Sequence, residues 1–448
     1  MHLRQPQPVP SYMVLQEPEQ VPAGNTSTAC FKAISLSSFF TMMTILNRLR
    51  DAACWQEFYE YKKSRNQLTQ KELKKLEDFI VQKKYLPVTE DLSFSYPTKH
   101  AIAKMGTSRK RIVYSYPEDE TWVLKLLAYL LFRYDRKLAG NTYAFRRRMT
   151  AVSAIRDILK IPDLNERYVL KLDIHDYFNS IDTEILIDIL ARVIDDDEPL
   201  LSLLCTLLRQ DGCYENGSLI EEKRGAMAGV PLAGFFANVY LAELDEYFLA
   251  KGIPWFRYSD DMILFLKNEK EREECFAYIM RFLDERKLTL NPDKLKYSDP
   301  GEAWEFLGFR YTNGVIDLSR GAIDKMKGRI RRKAHKLYRW RKKNHQEYDK
   351  AAKAMIRSFD HKFYDFSGDN EYTWTRHCFP IISCPDGLHE IDTYMVMHLR
   401  YLYSGRYSKT NYKITYEHLK KLGYTPLVAE YYNWQEENRM LDEQNRKK

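Results

Sequence analysis

The stretch Trp255–Leu266, WFRYSDDMILFL, decides how the rest of the chain is read. Apolar runs flank Tyr258-Ser259-Asp260-Asp261. The pattern predicts a strand, a tight turn carrying two adjacent carboxylates, and a second strand. Upstream, Asp173 closes another apolar run, YVLKLDI. Two strands of one sheet would bring Asp173 beside Asp260 and Asp261. Three carboxylates that close repel and raise one another's pKa unless cations neutralise them. Hard oxygen ligands at that density suit Mg²⁺. Two such ions about 3.5–4 Å apart are the machinery of nucleotidyl transfer. An Asp-Asp pair on its own is usually a solvated turn, so the reading depends on what surrounds it.

Outward from that hairpin, residues 168–320 alternate strand and helix. TEILIDILARVI, FFANVYLAELDEYFLA and KEREECFAYIMRFLDERK read as helices, and EFLGFRYTNGVIDLS as a hairpin turning at Asn313-Gly314. This is the content of a split βαβ, ferredoxin-like α+β layer. Before it, helical patterns run from Phe31 to about Lys84, with Thr69 and Glu72 spaced as a capping box. RKRIVYSYP (109–117) reads as a strand, and Ala151–Leu159 as a helix. After residue 320 the pattern is helical. Residues 1–28 are rich in Pro and Gln and read as a flexible arm.

The chain has 448 residues and a net charge of +8. The charge is unevenly placed. Lys325–Lys343, KMKGRIRRKAHKLYRWRKK, holds 11 basic and no acidic residues, leaving 59 basic against 62 acidic elsewhere. Met326, Ile330, Ala334, Leu337 and Trp340 form one apolar helical stripe there, with cations around it. Such an element fits a polyanion. Seven scattered Cys without a CxxC argue against a disulfide framework and for a reducing compartment. The N-terminal residues lack the apolar core of a secretory signal. The longest uncharged run, Gly225–Ala242, is interrupted by Pro231 and Asn238 and reads as buried core rather than a membrane span.

Seven segments, in order, resemble the blocks of a bacterial reverse transcriptase of the group II intron and retron type. They are RKRIVYSYP, NTYAFRRR, KLDIHDYFNSID, RGAMAGVPLAGFFANVYL, FRYSDD, LNPDK and EFLGF. The resemblance covers about half the chain and implies a right-hand polymerase. It divides the chain into N-terminal helices and fingers (29–167), a ferredoxin-like palm (168–320, with a fingers insertion about 183–224), a helical thumb (321–370) and a helical C-terminal extension (371–448). It implies that Asp173, Asp260 and Asp261, with the Ile174 carbonyl, hold two Mg²⁺ ions, with Mn²⁺ a possible substitute. It implies that Lys110 (or Arg109), Arg111 and Lys294 bind the triphosphate of a deoxynucleotide, and that Phe178 occupies the sugar-gate position. Template and primer would meet Arg146, Ala228, Gly229, Tyr258, Phe306, Leu307 and Gly308. In the cationic helix they would meet Lys325, Lys327, Arg331, Arg332 and Lys336, through phosphate contacts independent of sequence.

One block departs from the family. Its Pro-Gln-Gly is Met227-Ala228-Gly229 here, and its Ser-Pro is Ala233-Gly234. In the second fingers block Ala144 stands where Gly is usual. The GxMxGxP…FFANVYL form is most similar to the defence-associated (abortive-infection, "unknown group") branch. The expected activity is cDNA synthesis on an RNA template, a dedicated non-coding RNA among the candidates, in antiphage defence in the cytoplasm and away from membranes. A second copy of the chain or an accessory defence protein stays open as a partner. The altered loop keeps template-independent or protein-primed synthesis as a rival, and a catalytically idle nucleic-acid-binding scaffold is another. The aromatic residues of 371–448 suit single-stranded nucleic acid and a helical core equally.

Overall fold

The computed structural model describes residues 44–103, 110–222, 225–364 and 373–446. The arm expected at 1–28, Arg109 and the start of the first helical run lie outside them. At the centre is a four-stranded antiparallel sheet built from β3 (Tyr168–Asp173), β6 (Trp255–Tyr258), β7 (Asp261–Leu266) and β8 (Lys296–Ser298), in the order β6-β7-β3-β8. That order, with helices between β3 and β6 and between β7 and β8, is the split βαβ arrangement. Both faces of the sheet are covered. Met262, Leu264 and Leu266 enter one hydrophobic core, and Ile263 and Phe265 the other. Burial on both sides explains why β7 reads as an unbroken apolar run rather than an alternating one.

The first core joins the sheet to the N-terminal helices and to helices Thr183–Val193, Ala233–Tyr240 and Glu269–Glu285. Thr69 and Glu72 form the capping box that their spacing implies. A second sheet carries β1 (Thr98–Ala103), β2 (Lys110–Ser115), β4 (Gly212–Glu215) and β5 (Ser218–Glu221). Because β4 pairs with β1 in parallel, part of the stretch 183–224 returns to the sheet whose strand β2 carries Lys110 and Arg111. A third sheet, β9 (Trp304–Phe306), β10 (Phe309–Thr312) and β11 (Val315–Leu318), lies under the second core. Its β10–β11 turn has φ of 47° at Asn313 and 83° at Gly314, the left-handed pair that an Asn-Gly hairpin supplies.

Two helical expectations change. FFANVYLAELDEYFLA is two helices, Ala233–Tyr240 and Ala242–Ala250, parted at Leu241. The Tyr177 hydroxyl donates to the Ala237 carbonyl at 2.6 Å, and Arg257 Nη2 donates to the Asn238 carbonyl at 3.2 Å. Those carbonyls would otherwise accept from residues 241 and 242, so side chains take over where the helix ladder stops. The cationic helix runs from Arg320 to Lys343, and its buried stripe is Ile323, Met326, Ile330 and Ala334. Leu337 is only partly buried and Trp340 is exposed. Here the helix is instead tied to Asp386–Ser404 by polar bonds, Tyr338 Oη to the Ser404 carbonyl (3.0 Å) and Arg341 Nη1 to the Leu402 carbonyl (2.7 Å).

Of the aromatic residues of 371–448, Tyr401, Tyr424 and Tyr431 belong to the core, whereas Tyr407 and Tyr412 are exposed. No helix among the described residues is long and apolar enough to cross a membrane.

Candidate active site

The register of β3 and β7 sets Asp173 directly opposite Asp261. Asp260 sits in the two-residue turn between β6 and β7. The turn is strained, because Ser259 has φ +63° without being glycine. The backbone beyond β3 is stitched to the segment that carries Lys294. His175 N bonds the Thr289 carbonyl at 2.8 Å, and Asn291 N bonds the Asp173 carbonyl at 2.8 Å. Lys294 Nζ makes an ion pair and hydrogen bond to Asp173 Oδ2, and Lys171 Nζ stands 3.4 Å from Asp261 Oδ1. Burial pushes the Asp261 carboxyl up to about 6, with Lys171 opposing and Asp173 adding to the rise. Burial and then Asp173 push Asp260 up as well.

In front of the turn lies a cleft of about 480 Å³. Lys110 and Arg111 of β2 line one side, Asp173, Ile174, Asp260 and Lys294 another, and Phe178 and Ala228 close it. The Arg111 guanidinium lies 5.9 Å from the Phe178 ring centroid, over its face. The adjacent residues Tyr177 and Phe178 have separate tasks. Tyr177 is buried with its hydroxyl on Ala237, while Phe178 keeps partial exposure at the cleft.

Behind the turn is a network that the sequence did not disclose. Arg257 and Asp245 form an ion pair with both side chains fully buried. Asp245 also accepts from Trp255 Nε1 (2.8 Å) and Thr142 Oγ1 (2.7 Å). Arg257 Nη1 donates to the Ser259 carbonyl at 3.2 Å and to Asn238 Oδ1 at 3.3 Å. The guanidinium thus grips the strained residue that precedes Asp260. An Arg three residues before a turn Asp, with an Asp in the preceding helix, is the only sequence signal for it.

Several expected contacts fall elsewhere. Arg146 is not free for phosphate, because its guanidinium serves the carbonyls of Asp135 (2.8 Å), Thr142 (3.0 Å), Ala139 and Leu138. Phe306 is 1% exposed and belongs to the second core. Leu307 (φ 49°) and Gly308 (φ 91°) form the turn beyond it. Lys327 is consumed by an ion pair with Glu390. Lys325, Arg331, Arg332 and Lys336 are exposed and make no ion pair among the described residues. Tyr258 pairs with Asp261 across the hairpin.

The altered loop is well anchored. The Ala228 carbonyl accepts from Tyr114 N at 2.8 Å, and Met227 and Ala228 are both 2% exposed. Gly229 has φ +99° and would bring a Cβ within 3.0 Å of the Tyr114 carbonyl. At Gly234 a Cβ would fall 2.6 Å from the Phe145 ring. The missing Ser-Pro side chains leave space that Phe145 fills.

Residues 61–311 match the model of the family described as reverse transcriptase (RNA-dependent DNA polymerase). The chain belongs to the reverse transcriptase family. A curated relative, the retron Ec83 reverse transcriptase of Escherichia coli, is 28% identical over 159 residues. That match takes in 33% of this chain and 48% of the relative, so the chain spans about half the length of the curated relative it matches. Among solved structures, apo telomerase of Candida tropicalis truncated from its C-terminal domain aligns with TM-score 0.42 and 13% identity, over 50% of this chain and 55% of that one. Telomerase of the same organism with a fragment of telomeric RNA aligns with TM-score 0.43 and 11% identity, over 74% and 65%.

Reverse transcriptases generally use divalent metal ions, and the residues at this site fit them. Asp261 Oδ1 is a buried oxygen that meets only the Lys171 ammonium at 3.4 Å, without hydrogen-bond geometry, the kind of atom a hard cation satisfies. The surrounding donors, Asp173, Asp260, Asp261 and the Ile174 carbonyl, are all oxygen. They do not, however, form a ready-made cage. No group of three or more acidic, His or Cys side chains among the described residues is already arranged to hold an ion. Lys294 and Lys171 instead pair with Asp173 and Asp261.

Proposed function

We propose that this reverse transcriptase makes DNA from deoxynucleotides on an RNA template. The observation that carries the proposal is the single cleft lined by Lys110, Arg111, Phe178, Asp173, Asp260 and Lys294. It joins cations for a triphosphate, a ring beside a sugar and carboxylates for metal. Asp173, Asp260 and Asp261 with the Ile174 carbonyl would hold Mg²⁺ or Mn²⁺, which supply activation of the primer 3′-hydroxyl and neutralisation of the departing pyrophosphate. Arg111 and Lys110 bind the triphosphate, Arg through its planar fork. Phe178 packs where a ribose 2′-hydroxyl would project, so it favours the deoxy sugar. Lys294 leaves Asp173 for the pyrophosphate and donates a proton to its leaving oxygen. Lys325, Arg331, Arg332 and Lys336 hold the template–primer phosphates. The biological setting we propose is antiphage defence in the cytoplasm, which rests on the sequence resemblance alone.

The test is extension of a DNA primer on an RNA template with deoxynucleotides and Mg²⁺, followed by sequencing of the product. Product complementary to the template is expected. Absence of any incorporation, with a biological effect that survives Asp260→Asn, would leave the scaffold reading instead. A second reading, template-independent or protein-primed synthesis, has one observation in its favour. The loop beside the cleft presents buried Met227 and Ala228 in place of an amide that could meet a template base. A product that matches no supplied RNA would select it.

A further inference from the structure

Far along the chain from the polymerase cleft, the C-terminal helices enclose a second cavity of about 940 Å³. Met397, Arg400, Tyr407, Lys409, Asn411 and Tyr412 are among its lining residues. Exposed aromatic surface concentrates here, with Tyr412 65% and Tyr407 55% exposed. The Arg400 guanidinium lies over one face of the Tyr412 ring at 4.7 Å, and Arg400 Nε is fixed on the Ile414 carbonyl at 3.0 Å. An exposed ring braced by a cation on one face offers the other face for stacking.

Asn411 supplies an independent observation. It is 4% exposed, and its Nδ2 donates to the Arg406 carbonyl at 2.6 Å. That bond fixes the amide orientation, because a carbonyl accepts only from the NH₂ end. Asn411 Oδ1 is then a buried acceptor with no partner among the described residues. A buried acceptor left unpaired costs about 1–3 kcal/mol, so the cavity has an unmet need for an N–H donor. The one acid on its wall, Asp392, is already engaged by Leu427 N (2.9 Å), Val428 N (3.0 Å) and Tyr424 Oη (3.1 Å). Against that one acid the lining sets two cations, Arg400 and Lys409.

We propose that this cavity binds an unstacked nucleotide of a single strand. The base stacks on Tyr412 and gives an N–H to Asn411 Oδ1, while Arg400 and Lys409 attract the neighbouring phosphate. Stacking on an aromatic ring with a cation nearby is how single strands are held without sequence preference. A strand rather than a free nucleotide is indicated by continuity with the cationic helix. The Tyr407 hydroxyl, at the cavity wall, bonds His398 Nε2 at 2.9 Å and meets His335 Nε2 of that helix at 3.4 Å. The inference rests on the reading of that helix as a nucleic-acid surface and assigns it a second, distal site.

The test is fluorescence anisotropy with labelled twelve-nucleotide homopolymers of RNA and of DNA, and with labelled AMP, on the full chain. Tyr412→Ala is expected to weaken strand binding about tenfold, Tyr412→Trp to preserve it, and AMP to bind far more weakly than either strand. The exposure of Tyr412 makes both variants foldable, which circular dichroism verifies. Comparison of the RNA and DNA arms identifies which strand the site takes. Equal strand affinity of wild type and Tyr412→Ala overturns the proposal, as does tighter binding of AMP than of the strands. Extension of a short preannealed primer–template by the same samples reads the polymerase assignment separately. A cavity that binds nothing and a centre that extends nothing are therefore distinct failures.

Discussion

Two sets of acid–base pairs lie on opposite sides of one hairpin, and they differ in permanence. Behind it, Arg257 and Asp245 are fully buried and every contact is internal. In front, Lys294 pairs with Asp173 while its own side chain stays 47% exposed, and Lys171 faces Asp261 at 3.4 Å. A buried pair that loses one member strands an uncompensated charge, whereas the half-exposed Lys294 can leave for phosphate once a metal ion takes over the charge of the buried Asp173. The rear pair fixes the turn and the Lys294–Asp173 pair is exchangeable. The same two residue chemistries thus hold position on one side and wait for cargo on the other.

The comparison breaks most sharply at the front carboxylates. Asp260→Asn should lower primer extension by about 10³-fold or more, equivalent to about 4 kcal/mol. Thermal unfolding should stay close to wild type; a matching collapse of stability would mean that Asp260 serves the fold. Next in size is the rear pair. Arg257→Met should destabilise the protein by about 3–5 kcal/mol, read by chemical denaturation. The double variant Asp245→Leu/Arg257→Met should recover much of that loss. If the single change is harmless, the pair is not what holds the turn. Lys294→Ala should slow extension about 10²-fold, the low end of the range for a general acid, and lower stability by less than the loss expected at the fully buried Arg257–Asp245 pair. A larger stability change would make Lys294 a permanent partner of Asp173. The smallest effect expected is at Phe178. Phe178→Ala should raise ribonucleotide relative to deoxynucleotide incorporation several-fold, measured by competition, while Tyr177→Phe should leave that ratio unchanged. An unaltered ratio in Phe178→Ala would remove the ring from sugar selection.

The parts of the molecule written in local patterns were legible. The central sheet follows from apolar runs that end in aspartate, and the Thr69–Glu72 box and the Asn313-Gly314 turn follow from short-range chemistry. The cleft was legible through the resemblance, since Lys110, Asp173, Phe178 and Lys294 come together from separated segments. What stayed hidden depends on which distant group uses up a side chain. Arg146 looked like a phosphate ligand because a sequence shows a charge and not the four carbonyls that absorb it. Lys327 looked like its neighbours on the cationic helix until Glu390, 63 positions away, took it. The break at Leu241 was invisible because Tyr177 and Arg257, which replace the lost helix bonds, lie on other elements.

The contact between Phe145 and Gly234 has a consequence for the history of this protein. With a Cβ at 234 falling 2.6 Å from the Phe145 ring, position 234 cannot grow while the aromatic stays in place. A lineage that regained proline at 234 must first have shrunk or moved the aromatic at 145. Descendants of this chain should therefore record any larger residue at 234 only together with, or after, a change at 145.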